Sequence, residues 1–366
     1  MEHSSLSVQN SAATRDFGDR PALIAICGTP SPLTRWVAHS AHRMASAAWG
    51  AHVFSGANTE EQFLDALGES TGGPFILLTD VPTRALMDRI VGTFDKILLV
   101  EDDPVDVIGF VHAERSVEVW QSVTIASQSL TTLNYLREKL SLPELRRNFY
   151  SLELGVAERA IGGYLGIEAV EALPGRPAGG IGITAEATVL SAILAEISHA
   201  KTPGGYFPEV GPIERDVIAA ACRHLENIVR GSSYTRAEWP ISLFLTCDKK
   251  GQPQWQHYSD PIDLTGPART LLYGPYLHLP VGRWILNGSL SVIGNDSRNV
   301  IQIDINSGEL GLAKVKAPLP AEGDFSFEID FAVDEPREPM QLRIHILEGA
   351  IEGTLFLSSV KMSRVK

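Results

Sequence analysis

The hydrophobic period of this 366-residue chain changes once, near Trp239, and that change limits the folds open to it. Upstream, short aliphatic runs at residues 22–27, 51–54, 75–78 and 96–100 alternate with stretches of helical spacing. Each run is brief and bounded by Gly, Pro, Asp or Asn, as buried strands are. Between the first two, Val37, Ala41, Met44, Ala45 and Ala48 fall on one helical face, and Gly50 stops the helix. Thr59 with Gln62 forms a capping-box pattern, and Pro82 suits the first turn of a third helix. Strands alternating with helices predict a mostly parallel sheet covered on both faces, with its ligand crevice at the carboxyl ends of the strands.

Further helices are expected over residues 105–140, 152–165, 184–197 and 212–230. The last repeats Ile213, Val217, Ala220, Ala221, Leu225 and Ile228 and stops at Gly231. Residues 173–182 and 201–212, rich in Gly and Pro, read as long loops. After Trp239 the period is two. Segments 241–247 and 254–258 flank Lys249, Lys250 and Gly251 as a hairpin, followed by strands at 283–290, 300–305, 325–331, 341–347 and 354–357. Phe325, Phe327, Ile329 and Phe331 point one way; Ser326, Glu328 and Asp330 point the other. The expected fold class is therefore α/β plus all-β. A parallel-sheet nucleotide-fold domain (21–235) follows a polar tail (1–20), and an antiparallel β-sandwich or jelly roll (238–366) ends the chain.

Charge narrows the partners. A net charge of -13 disfavours nucleic acid and anionic membranes, which require a basic stripe. No segment has the uninterrupted apolar run of a membrane span or a signal peptide, so a cytoplasmic location is expected. Cys27, Cys222 and Cys247 are far apart within apolar stretches, as reduced structural thiols are.

Two strand ends carry candidate chemistry. The first runs Cys27-Gly28-Thr29-Pro30-Ser31-Pro32-Leu33-Thr34 into a helix, where backbone N–H groups and the helix dipole can receive a phosphate. It lacks the Gly-Lys-Ser/Thr ending of a Walker A loop. The fourth strand runs Val100-Glu101-Asp102-Asp103-Pro104-Val105-Asp106-Val107 into another helix. Together, Gly28, Pro30 and Thr34 with Asp103, Pro104, Asp106 and Val107 resemble the sulfotransferase family over about residues 20–235. The resemblance implies a phosphosulfate-binding set of Gly28, Thr29, Ser31, Thr34 and Arg35. The departures are as telling: Ser31 stands where the family has a basic residue, Leu33 replaces a glycine, Asp102 replaces the arginine that grips the 3′-phosphate, and Phe110 stands in place of a serine. A carboxylate in place of that cation exchanges attraction for repulsion. The expectation is a domain that has lost its donor, with no cofactor and no catalytic residue.

The same Glu101, Asp102 and Asp103 also admit a metal reading, holding Mg²⁺ or Mn²⁺ for a nucleotide-sugar transferase. They equally admit a capping role for Asp102 or Asp103. No Gly-x-Ser-x-Gly elbow or His-Glu-x-x-His is present. His39 and His42 form a common surface arrangement, and His224 reads as a core histidine. In the second half, the segment from Leu272 through Tyr276 to Trp284 resembles the start of a carbohydrate-binding type sandwich. Tyr276, Trp284, Arg343 and His345 are the sugar-binding candidates, with Trp255 and Tyr258 of suitable type; core packing of the aromatic rings is the alternative. The combined expectation is an accessory or regulatory protein of bacterial surface-polysaccharide production. Its partner would be a glycan or a protein of that synthesis, and self-association is allowed for. A sandwich serving only as an assembly surface is a third reading.

Overall fold

A computed structural model describes residues 22–69, 72–167, 187–207, 211–230, 236–246, 256–259 and 261–365. The expected tail 1–20, the loop at 173–182, the turn at Lys249–Gly251, Cys247 and Trp255 lie outside the described residues. The first part contains strands β1 (Leu23–Gly28), β2 (Val53–Gly56), β3 (Phe75–Thr79), β4 (Lys96–Val100) and a two-residue β5 (Glu144–Leu145). All pair parallel, in the order β2-β3-β1-β4-β5. The helices are α1 (Pro32–Trp49), α2 (Glu60–Gly68), α3 (Arg84–Thr93), α4 (Pro104–Arg115), α5 (Val119–Lys139), α6 (Leu154–Leu165), α7 (Val189–Glu196) and α8 (Pro212–Arg230), with a 3₁₀ turn at Arg147–Ser151.

Alternate residues of the central strands feed two cores, one on each sheet face. Ile24, Ile26, Leu98 and Val100 pack under α1, α6 and α7. Leu23, Ala25, Cys27 and Leu99 pack under α2, α3 and α5. Burial on both faces explains why these strands read as unbroken aliphatic runs. The chain leaves β1 toward β2 on one side and leaves β4 toward β5 on the other. The loops after β1 and β4 therefore diverge between adjacent strands, which makes a topological switch point there.

Sequence and structure part in three places here. The helix expected over 105–140 is two helices, broken at Ser116, whose φ of 51° is left-handed. The third helix starts at Arg84 rather than Pro82, capped by the Thr83 hydroxyl, which accepts from the Leu86 N–H. The seventh is shorter than expected and capped by Thr188.

The second part is a two-layer antiparallel sandwich. It comprises β6 (Arg236–Glu238), β7 (Leu245–Thr246), β8 (Gln256–His257), β9 (Ile262–Asp263), β10 (Arg269–Leu277), β11 (Gly282–Ile293), β12 (Val300–Ser307), β13 (Leu310–Pro318), β14 (Gly323–Val333), β15 (Met340–Ile346) and β16 (Thr354–Arg364). One sheet runs β13-β12-β15-β10-β7-β8; the other runs β14-β11-β16-β6, with β9 on β16. On β14, Phe327, Ile329, Phe331 and Val333 are buried while their alternates are exposed, as the period-two reading requires. Residues 241–243 form a 3₁₀ turn rather than a strand: the Leu243 N–H donates to the Pro240 carbonyl and the Phe244 N–H to the Ile241 carbonyl, both at 3.0 Å.

A single apolar cluster joins the sandwich core to α4, α5 and α8 through Trp239, Phe244, Val123 and Leu225. Polar ties run across the same seam: the Ser127 hydroxyl accepts from the His278 N–H at 2.9 Å, Gln128 donates to the Arg337 carbonyl, and Arg364 pairs with Glu138 at 2.5 Å. The buried His224 also lies there; its Nδ1 is 3.2 Å from the Glu238 carbonyl, and burial lowers its pKa to about 4.

Candidate functional site

At the switch point, Gly28, Thr29, Ser31 and Thr34 come together, and all four are buried. Each is occupied by the fold. The Thr29 N–H continues the sheet to the Val100 carbonyl at 3.0 Å, and its hydroxyl accepts from the Asp102 N–H at 3.2 Å. Ser31 caps α1 by accepting from the Thr34 N–H and donates to the Thr34 hydroxyl, both at 3.2 Å. Pro32, the first helical residue, has no N–H to offer. At Gly28 a Cβ would lie 2.5 Å from the Thr34 hydroxyl, so the glycine admits the helix start rather than a phosphate. Arg35 turns away, its guanidinium 3.3 Å from Glu114 and 3.9 Å from Asp80. Of the five residues expected to bind phosphosulfate, Gly28, Thr29, Ser31 and Thr34 thus build a capped helix start, and Arg35 pairs with Glu114 and Asp80.

The acidic strand end is also occupied, carboxylate by carboxylate. Glu101 accepts from Arg137 at 2.7 Å, with Arg146 at 3.6 Å. Asp102 accepts from the Tyr150 hydroxyl at 2.5 Å and from the Asp103 N–H at 2.9 Å. Asp103 caps α4 through the Val105 N–H and pairs with Arg147 at 2.7 Å. The three side chains diverge, and among the described residues no group of three or more His, Cys, Asp or Glu converges to hold a metal. The metal reading of Glu101, Asp102 and Asp103 is corrected on that geometry, and the capping alternative describes Asp103.

Burial also changes the electrostatic argument. Asp102 is 2% exposed, and desolvation lifts its pKa to about 7 despite the Tyr150 hydrogen bond. Desolvation thus favours the neutral form of Asp102, which weakens the repulsion expected at that residue. Asp106, raised chiefly by desolvation, accepts from the Gly204 N–H at 2.6 Å. The same segment brings Tyr206 onto Gly109 of α4, where a Cβ would meet the tyrosine at 2.2 Å. Tyr150 therefore sits on Asp102, and Gly204 and Tyr206 sit on the first two turns of α4.

An open cavity of about 480 Å³ lies elsewhere, on the seam between the two parts. Trp120 at the start of α5, Tyr273 and Tyr276 on β10, and Leu245 on β7 form aromatic and aliphatic walls with Val119 and Val217. Glu118 and Glu214, at the N-terminal ends of α5 and α8, and His257 on β8 supply its polar groups. The Trp120 and Tyr276 rings meet edge to face at 5.2 Å, and Tyr276 meets Tyr273 at 6.2 Å and 87°. Tyr276 sits at a register shift between Pro275 and Leu277 with a φ of 61°, a left-handed conformation costing a bulky residue about 1–3 kcal/mol. Burial pulls the His257 imidazole below its ordinary pKa, so it is neutral near pH 7.

Of the sugar-binding candidates, Tyr276 lines this cavity and Trp284 does not. The Trp284 ring is fully buried and donates to the Pro280 carbonyl at 3.0 Å, leaving no face for a sugar. Arg343 and His345 lie half-buried on β15, and Tyr273 is the β10 residue paired with Arg343. Tyr258 is a core residue whose hydroxyl accepts from the Leu357 N–H. Trp120, Glu118, Glu214 and His257 carried no motif; only their meeting in space nominates them.

No family model matches the chain, and no curated protein matches it. Among solved structures, it is similar to the C-terminal CBM6 of LamC, a marine laminarinase from Zobellia galactanivorans, at 10% identity and TM-score 0.20, over 28% of this chain and 76% of that one. It is similar to the CBM36-1 domain of a multidomain xylanase from the hindgut metagenome of Trinervitermes trinervoides at 11% identity and TM-score 0.23, over 34% and 97%. A carbohydrate binding module of Cellvibrio mixtus lichenase 5A, in complex with cellotriose, matches at 9% identity and TM-score 0.17, over 33% and 85%. Likeness of this size carries no weight for function. No helix among the described residues is long and apolar enough to cross a membrane.

Proposed function

We propose that this chain is a glycan-binding protein without a catalytic donor site, and that it takes a sugar in the cavity between α5, α8 and β10. The observation that carries this reading is the meeting of Trp120, Tyr273 and Tyr276 with Glu118, Glu214 and His257 around about 480 Å³. A sugar ring has an apolar face and a rim of hydroxyls. Aromatic rings receive the first, and carboxylate and imidazole acceptors receive the second. The cavity volume falls inside the range of roughly 300–1,000 Å³ that small-molecule sites occupy.

The division into an α/β domain at 21–235 and a sandwich at 238–366 belongs to this proposal, as does the retirement of a transferase-like switch point. So does an accessory place in bacterial surface-polysaccharide production, which rests on the pairing of such a domain with a glycan-binding sandwich. Isothermal titration of the full chain with a panel of oligosaccharides, alongside adenosine 3′,5′-bisphosphate, tests it. The reading expects a saccharide to bind and Trp120→Ala to weaken it, with no uptake of the nucleotide. Nucleotide binding with sulfo-transfer to a sugar would end it.

A further inference from the structure

The six-stranded sheet extends the cavity wall into a charged row. Strand register places His257, Leu245, Tyr273, Arg343, Asp304 and Lys314 opposite one another across β8, β7, β10, β15, β12 and β13. Residues opposite each other in antiparallel strands share a face, so this line runs along one surface of the sheet. The next line on that face contains His345, Gln302 and Lys316. With strands ~4.8 Å apart, Arg343 stands one strand from the cavity wall and Lys314 about 14 Å from Tyr273.

The charges on this surface do not cancel. Asp304 is engaged by His345 at 3.3 Å and by the Gln302 amide at 3.0 Å. His345 also contacts the Thr270 hydroxyl at 2.9 Å, and desolvation, partly offset by Asp304, holds it below its ordinary pKa. Arg343 directs both Nε and Nη2 to the neutral acceptor Gln341 Oε1, at 3.0 and 2.8 Å. Lys314 and Lys316 are exposed. Among the described residues of these two lines, Arg343, Lys314 and Lys316 stand with one carboxylate, Asp304, on a chain whose net charge is -13.

We infer that the ligand is a heteroglycan that alternates neutral and acidic sugars. This rests on the glycan reading of the cavity. Glu118 and Glu214 repel an anionic sugar from the cavity, so a neutral residue stacks there. A carboxylated or sulfated neighbour then meets Arg343, Lys314 and Lys316, of which the planar guanidinium suits paired anionic oxygens. A uniformly charged polyanion is excluded by those two glutamates and by the chain's overall charge.

Affinity electrophoresis of the full chain through gels containing hyaluronan, polygalacturonate, dextran sulfate or neutral dextran tests the inference. The expected result is retardation by hyaluronan, in which uronate and neutral sugar alternate, weakening as salt rises. Arg343→Gln, and separately the exposed pair Lys314→Gln with Lys316→Gln, should each weaken it by roughly tenfold. Retardation by dextran equal to that by hyaluronan, unchanged in both charge variants but lost in Trp120→Ala, overturns the acidic-ligand inference and leaves the cavity reading standing. Stronger retardation by polygalacturonate or dextran sulfate, indifferent to Trp120→Ala and Tyr276→Ala, overturns the alternating-ligand inference and counts against the cavity. Failure of every polymer to retard the chain overturns both.

Discussion

The switch-point crevice and the seam cavity invert the usual relation between motif and site. The crevice has the local sequence of a binding loop, a glycine at a strand end before a helix, yet the hydroxyls of that loop are engaged within the fold. Thr29, Ser31 and Thr34 bond one another and the neighbouring strand end, Tyr150 donates to Asp102, and Tyr206 packs on Gly109 of α4. The cavity has no motif, and its walls come from α5, α8 and the sandwich, brought together by tertiary packing. A helix start becomes an anion site only where its N–H groups stay unspent; aromatic side chains become a platform only where a face stays open.

The contrast can be broken most forcefully at Arg137. Its guanidinium holds Glu101 at 2.7 Å and Glu144 at 2.6 Å, and Glu101 is 3% exposed. Arg137→Ala strands a buried carboxylate and is expected to lower unfolding free energy by about 3–5 kcal/mol, measured by urea denaturation. A loss within the ordinary surface range would mean that Glu101 is not a buried carboxylate dependent on Arg137.

Asp102 gives a pH test. Its carboxyl titrates near 4 when unfolded and at about 7 when folded, so the folded state binds the extra proton between those values. This group's contribution to stability therefore falls as pH rises from about 4 to about 7, and is level above. Asp102→Asn keeps an acceptor for Tyr150 but cannot ionise. Relative to the parent it should gain on the order of 2–4 kcal/mol at pH 8 and little at pH 4. Parallel stability curves for the two proteins would contradict the burial argument.

The opposite region is sharpened at Trp120. Trp120→Ala removes one cavity wall and its edge contact with Tyr276. Saccharide affinity should fall by about 1.5–3 kcal/mol, read by titration, with the urea midpoint barely moved because the ring is only half-buried. The smallest effect is expected at Arg35. Arg35→Gln breaks part-exposed pairs with Glu114 and Asp80 and should cost at most ~1 kcal/mol, without altering any ligand affinity.

Much of the architecture was legible in the sequence because its strands are uniform. The aliphatic runs at β1, β3 and β4 and the alternation at β14 each obey one period. β10 carries Gly274 and Pro275 in its middle, residues that interrupt a strand pattern. β13, an edge strand bearing Lys314 and Lys316, is too polar to stand out. The turn at Ser116 has neither Gly nor Pro to announce it. For the site, Tyr276 was legible from its aromatic segment. Trp120 and Glu214 were not, since helical spacing says nothing of which distant strand a helix end will meet. Trp284 misled because a core tryptophan and a sugar platform have the same sequence; only its full burial separates them.

Hydrogen exchange of the full chain, with and without saturating hyaluronan, tests most directly which of the two regions receives ligand. The account predicts slowed exchange at residues 118–121, 214–217 and 272–277, with residues 28–35 and 101–107 unchanged. Protection confined to the segments after β1 and β4, under hyaluronan or under adenosine 3′,5′-bisphosphate, would contradict it.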